Sequence, residues 1–302
     1  MSFALDVAVL SFVTALLLLS VFSISFILHL CFKSRTSHHL QRFNSLWTVR
    51  FLLVLFITLW ALNELLRLPL LRRTTTTAGP AQQATLCKIH VALSLGLFEP
   101  AFLGTLLFLV DFSIKKETPN GRWAVASILA TCLPLLCLQT LVLFSSKTLQ
   151  ATLRLPDYFL RSSVARYSGP GETTVLCAYP LLSTAAFGAF GLGFSAMFLV
   201  SAWRVASVVI NKALRVRIYG LALTVLISLP VQIVMLGLSA AWTPDDDAYG
   251  GVSLAVFLST LSCAVVGEGI LVIKPIADSL AVRGQSCCPW DPWRRQVAGG
   301  RA

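Results

Sequence analysis

The sequence predicts an all-α fold: a polytopic membrane bundle of seven transmembrane helices, with the N-terminus outside and the C-terminus cytoplasmic. Three observations carry that expectation. Of the 302 residues, 56% are hydrophobic and only 12% are charged, about half the charged fraction of a soluble domain. The apolar residues fall in seven runs of about 20 or more, the length that spans a bilayer. The basic residues are spread unevenly over the segments between those runs. Together these exclude a soluble globular domain, a disordered chain and a coiled coil. The runs do not alternate as the strands of a membrane β-barrel would.

The runs cover residues 7–31, 51–71, 87–110, 123–144, 177–203, 218–242 and 252–273. Residues 1–286 form one seven-helix domain, and 287–302 are a short cytoplasmic tail. The first run lacks a basic leader and a small-residue cleavage site, and is longer than the apolar core of a signal peptide. It is read as a retained span. An odd number of spans puts the termini on opposite faces. With the amino end outside, the inner segments hold sixteen of the 24 Lys and Arg residues and the outer segments eight. Positive charge accumulates on the cytoplasmic side, which sets the orientation. The net charge of +11 therefore reflects topology and attraction to the inner leaflet. The lipid bilayer is the partner this composition demands, and nucleic acid is a poor one.

The longest loop, from about Ser145 to Leu176, lies outside. A short amphipathic helix is expected near Leu149–Arg161, and a turn at Ser168-Gly169-Pro170-Gly171. Cys177 ends this loop, and Cys87 stands at the head of the third span. The outside is oxidising, so the two either form a disulfide that pins the loop over span three or are unrelated thiols. Cys287 and Cys288, about a dozen residues past the last span, are palmitoylation candidates. Their alternatives are an untouched reduced pair or a zinc site, but no second paired Cys or His supports the latter.

Ionisable groups inside a bilayer are functional candidates by default. Glu64 lies in the outer part of span two, three residues before Arg67, where an ion pair is the plain account. Glu99 lies near the middle of span three and is followed by Pro100, which loosens the local helix ladder. It must be paired through packing, be protonated or face a wet cavity. Glu268 lies in the inner third of span seven between Gly267 and Gly269, placed for an inner gate or a structural hydrogen bond. His90, one turn below Cys87, either meets a ligand or is a satisfied packing histidine. His90 and Glu99 are nine residues apart, which at about 100° per residue puts them on opposite helix faces. Glu64, His90 and Glu99 are the ligand-pocket candidates. Pro230 in span six is a pivot or a static kink. In span five, Ala185, Ala189 and Gly193 recur every fourth residue and are read as an internal packing seam.

Enzyme chemistry finds little support. Only His29 and His90 lie within spans, and no clustered histidines, phosphate-cradling glycine loop or mid-membrane lysine in the last span is present. No cofactor and no metal are expected.

Seven spans, a Cys at the top of span three, a Cys before span five and paired cysteines after span seven together resemble a G-protein-coupled receptor. The large receptor families' motifs are missing. Asp111-Phe112-Ser113 ends span three, Ser228-Leu229-Pro230 lacks the tryptophan of span six, and Lys274-Pro275-Ile276-Ala277-Asp278 ends span seven. The stretches 40–71 (LQRFNSLWTVRFLLVLFITLWALNELLRLPLL) and 87–110 (CKIHVALSLGLFEPAFLGTLLFLV) look closer to the plant candidate G-protein-coupled receptors. That group includes the proposed phytomelatonin receptor.

The resemblance implies a multi-pass receptor of the plasma membrane, or an endomembrane, for a small extracellular signal, melatonin-like in that member's case. It implies signalling through a heterotrimeric G-protein alpha subunit. Lys115, Lys116, Arg204, Lys212, Arg215 and Arg217 are then the contact candidates, and positive-inside topology is their plain alternative. Two other functions compete. One is a proton-coupled small-molecule transporter using Glu64, Glu99 and Glu268 as steps of a relay. The other is a membrane scaffold.

Overall fold

A computed structural model of the chain describes residues 2–34, 46–68, 79–112, 121–154, 156–167, 173–240, 242 and 247–278. Among these, seven helices are long and apolar enough to cross a membrane. They are α1 (Ser2–Ser34), α2 (Trp47–Leu65), α3 (Pro80–Phe112), α4 (Gly121–Phe144), α6 (Leu181–Val208), α7 (Lys212–Ser239) and α8 (Ala248–Asp278). Helix is the only open structure that satisfies every backbone group without water, so unbroken apolar runs become helices in lipid. Each expected run is one of these helices, with its ends moved by several residues. The starts follow local chemistry. Pro80 opens α3, where its missing N–H is no loss, and Asn211 caps α7 by accepting from the Ala213 amide at 3.0 Å.

The helix in the middle of the bundle is α3. Over its apolar 18-residue stretch 78% of residues are buried, against 28% for the corresponding stretches of α1 and α4. Trp60, Leu95, Leu103, Leu106, Phe187 and Phe257 fill the space around it. The outward faces carry Leu18, Phe22, Leu141, Leu192 and Leu223, an apolar surface that suits hydrocarbon rather than water.

The packing seam of α6 differs from expectation. Ala185, Ala189 and Gly193 lie on the exposed face. Ser183, Phe187, Gly191, Phe194 and Phe198 turn inward instead, because the helix buries its aromatic stripe. Gly191 makes the close approach: a Cβ there would stand 2.8 Å from Ile233 Cδ1 of α7.

The long loop also corrects the sequence reading. Its helix, α5, spans Ser146–Leu153 only. Arg154 takes a left-handed conformation and Pro156 follows, which together end the helix. A 3-10 turn at Asp157–Phe159 leads into an antiparallel hairpin, β1 (Ser163–Tyr167) and β2 (Thr173–Cys177), with Ser163 opposite Cys177. Val164, Tyr167, Thr173, Thr174 and Val175 give these segments their strand preference. The expected turn cluster, 168–171, lies between the strands and outside the described residues.

Three links dock the hairpin on the bundle. Cys87 is disulfide-bonded to Cys177. Gln83 Oε1 accepts from the Val175 amide at 3.3 Å, and the Tyr249 hydroxyl of α8 donates to the Cys177 carbonyl at 2.8 Å.

Helix α8 does not stop at Ile273 but continues through Pro275 to Asp278. Both α3 and α8 contain a widened π turn, at Ser94–Phe98 and Gly269–Ile273. Each lies just before a proline, Pro100 and Pro275. A proline cannot donate and its ring crowds the carbonyl four residues back, so the preceding turn loosens.

Candidate functional site

Several polar groups in the hairpin half of the bundle meet on one face of α2 and the turn after it. Trp60, Asn63, Glu64 and Arg67 recur at helical spacing; the first three meet α3, and Arg67 meets Tyr179. Asn63 and His90 exchange hydrogen bonds. Asn63 Nδ2 donates to the His90 carbonyl at 3.1 Å, and His90 Nδ1 lies 3.0 Å from the Asn63 carbonyl. A carbonyl only accepts, so Nδ1 carries the hydrogen. The other ring nitrogen, Nε2, lies 3.4 Å from the Tyr179 hydroxyl.

Arg67 Nη1 donates to the same Tyr179 oxygen at 3.3 Å, and Arg67 Nε stands 3.8 Å from Glu64 Oε2. Glu64 Oε1 is 3.9 Å from His90 Nε2. A chain of polar contacts thus runs from Arg67 through Tyr179 and His90 to Asn63. Burial pushes the Tyr179 phenol well above its usual range, opposed by the Arg67 guanidinium. Tyr179 therefore stays a donor at neutral pH.

A second cluster is built around Glu99. Its Oε1 accepts from Ser94 Oγ at 2.9 Å and from Trp60 Nε1 at 3.3 Å, and its Oε2 from Gln232 Nε2 at 2.5 Å. The buried carboxylate is thus held by three neutral donors from α2, α3 and α7. The Trp60 ring is itself fixed by stacking on Phe257 of α8, with centroids 5.7 Å apart. Packing, one of the three options open for Glu99, provides its partners.

The opposite-face expectation for His90 and Glu99 fails. Both meet α2, His90 through Asn63 and Glu64, Glu99 through Trp60. The reason is the π turn at Ser94–Phe98 between them. It absorbs one extra residue and turns everything beyond it back by about 100°.

A family model described as "uncharacterised conserved protein UCP031277" matches residues 1–287. The chain belongs to this family. The match takes in all seven helices, the hairpin and both polar clusters. No curated protein matches the chain.

Within this family member, Glu268 stands apart. It lies toward the bundle end opposite the hairpin, and Ser20 Oγ of α1 donates to its Oε2 at 3.3 Å. Among the described residues it shares no hydrogen-bond partner with Glu99. Pro230 lies inside α7 between two residues that bind that helix to its neighbours. Ser228 meets Ser262 of α8 at 2.8 Å, and Gln232 meets Glu99.

The basic residues at the far end divide into two kinds. Arg204 and Lys212 are exposed. Arg215 donates through Nε and Nη2 to the Val209 carbonyl, at 3.3 and 2.7 Å, closing the α6–α7 connection. Arg217 Nη1 pairs with Asp278 Oδ2 at 2.7 Å. Lys115, Lys116, Cys287 and Cys288 lie outside the described residues.

Sequence reasoning passed over Trp60, Ser94 and Tyr179 as site residues. Trp60 left a signal: an indole N–H in the middle of an apolar span needs an acceptor, and Glu99 supplies one.

Proposed function

We propose that the protein is a plasma-membrane receptor whose hairpin end faces outward and binds a small extracellular signal. The observation that carries this reading is the pair of buried polar clusters beneath a disulfide-tied hairpin, at Arg67–Tyr179–His90–Asn63 and at Glu99. Groups of this kind, desolvated and prearranged in an apolar bundle, discriminate sharply between ligands that match their donors and acceptors and those that do not. The resemblance to the plant candidate G-protein-coupled receptors supports it, and so does the excess of basic residues at the far end.

In this reading the ligand enters under the hairpin and meets Glu64 and His90. It favours one of two packings of α7 against α3, with Gln232–Glu99 as the contact that differs and Pro230 as the hinge. The alpha subunit docks at the opposite end on exposed cations that include Arg204 and Lys212, together with Lys115 and Lys116.

The test is capture of purified alpha subunit by the protein in nanodiscs, with Arg204→Glu/Lys212→Glu as the comparison. Arg215 and Arg217 are poor probes, because both are engaged within the chain. Capture by the native protein and its loss in the double variant is the expected result. Absence of capture by the native protein overturns the receptor reading.

A proton-coupled transporter is the second reading, favoured by three carboxylates that are each at most 3% exposed in an apolar bundle. Glu99→Gln separates the alternatives. A transporter loses pH-driven flux in proteoliposomes, a receptor loses ligand response while reaching the surface, and a scaffold loses neither.

A further inference from the structure

The receptor reading leaves Glu268 unexplained. It sits at 0% exposure between α1 and α8. One of its oxygens accepts from Ser20, and the other, Oε1, has no hydrogen-bond partner. Ser23, one turn along α1 and 2% exposed, faces the same carboxylate, yet its Oγ is not within regular hydrogen-bond geometry of any partner. One carboxylate oxygen, Glu268 Oε1, and the neighbouring Ser23 Oγ thus lack a regular hydrogen bond, and among the described residues no Lys, Arg or His pairs with the carboxylate. The unbalanced charge is one. The donor set is all hard oxygen: a carboxylate and two hydroxyls.

We propose that Glu268, Ser20 and Ser23 form an intramembrane site for one monovalent metal cation, sodium being the probe of choice. A buried anion with no partner is strongly unfavourable, and a +1 ion neutralises it exactly once. Oxygen donors select hard cations over soft transition metals. A divalent ion would leave a net positive charge in the bundle, which a monovalent ion does not. The site bridges α1 and α8, so the bound ion clamps the first span onto the seventh. This inference is independent of ligand binding at the hairpin end and holds equally for a receptor, a transporter or a scaffold.

The experiment is thermal unfolding of the full-length protein in zwitterionic nanodiscs. Sodium chloride replaces choline chloride at constant ionic strength and constant pH. A ligand that binds only the folded state raises the midpoint in a saturable way, here by about 2 °C or more at saturation. Glu268→Gln removes the charge and abolishes the rise. Ser23→Ala, a milder change that keeps the carboxylate, shifts the half-saturating sodium concentration upward at least threefold. If the native protein melts at the same temperature in sodium and choline, Glu268 is satisfied by a proton and the proposal is overturned. A sodium response that persists unchanged in Ser23→Ala overturns it as well, since the ion then binds elsewhere.

Discussion

Gln232 Nε2 donates to Glu99 Oε2 at 2.5 Å, tying α7 to the central helix α3 inside the bundle. Gln232→Leu leaves the buried Glu99 side chain with one partner fewer. We expect a loss of about 1–3 kcal/mol, the range for leaving a buried polar group short of a partner. Glu99→Gln keeps the shape and the Trp60 and Ser94 donors, and should cost less. Thermal or denaturant unfolding of both variants in nanodiscs checks the order.

The disulfide closes a loop with a sequence separation of 90. Cys87→Ser should lower stability by about 2–4 kcal/mol through the freed unfolded state and the loosened hairpin. Limited proteolysis should then cut between residues 146 and 177 in the variant and spare the native chain. Equal cleavage of the two would show that the hairpin is held without the bond.

Tyr179 gives an alkaline signature. Its phenol has an ordinary value of 10.0, and burial raises it in the folded state. The folded state therefore holds the proton more tightly than the unfolded state. That stability is fully present below about pH 10 and is lost as pH rises further. Tyr179→Phe should flatten the fall in melting temperature above pH 10 while lowering it at neutral pH, where the links to Arg67 and His90 are gone.

Two glycines of α6 should behave oppositely. Gly191→Val drives a side chain into Ile233, 2.8 Å from where its Cβ would stand, and should cost about 1–3 kcal/mol. Gly193 has nothing within 4 Å of its Cβ position, so Gly193→Ala should be neutral or stabilise by up to about 1 kcal/mol. A melting series of the two variants tests this. If Gly193→Ala destabilises more, the exposed small-residue face is buried in an assembly.

The seven spans were readable because length and apolarity alone dictate helix in a bilayer. The Cys87–Cys177 contact was readable as an option because both residues fall at one end of their spans. What escaped is what depends on phase. A π turn of five residues leaves no mark on hydropathy, yet it decides that Glu99 and His90 look at the same helix. Pro100 was the available clue, read as a loosened ladder but not as a rotation. The hairpin escaped for a different reason. Its strands are five residues each and are held by contacts with α3 and α8 that no local pattern encodes. The exposed face of α6 was misassigned because small residues are compatible with packing but do not compel it. The aromatic stripe of Phe187, Phe194 and Phe198 has more area to bury and sets the rotation.

The helices differ in length, and this bears on which bilayers the protein fits. At about 1.5 Å per residue, the 33 residues of α3 measure about 50 Å, well beyond a hydrocarbon layer of about 30 Å. The 19 residues of α2 measure about 28 Å and have no such surplus. A thicker or thinner membrane simply slides along α3, whereas it stretches or crowds the ends of α2. Hydrophobic mismatch is therefore felt first at Trp47 and at the turn carrying Arg67, the residue on which the hairpin-side cluster hangs. Acyl-chain length should tune the geometry of that cluster without touching the core around α3.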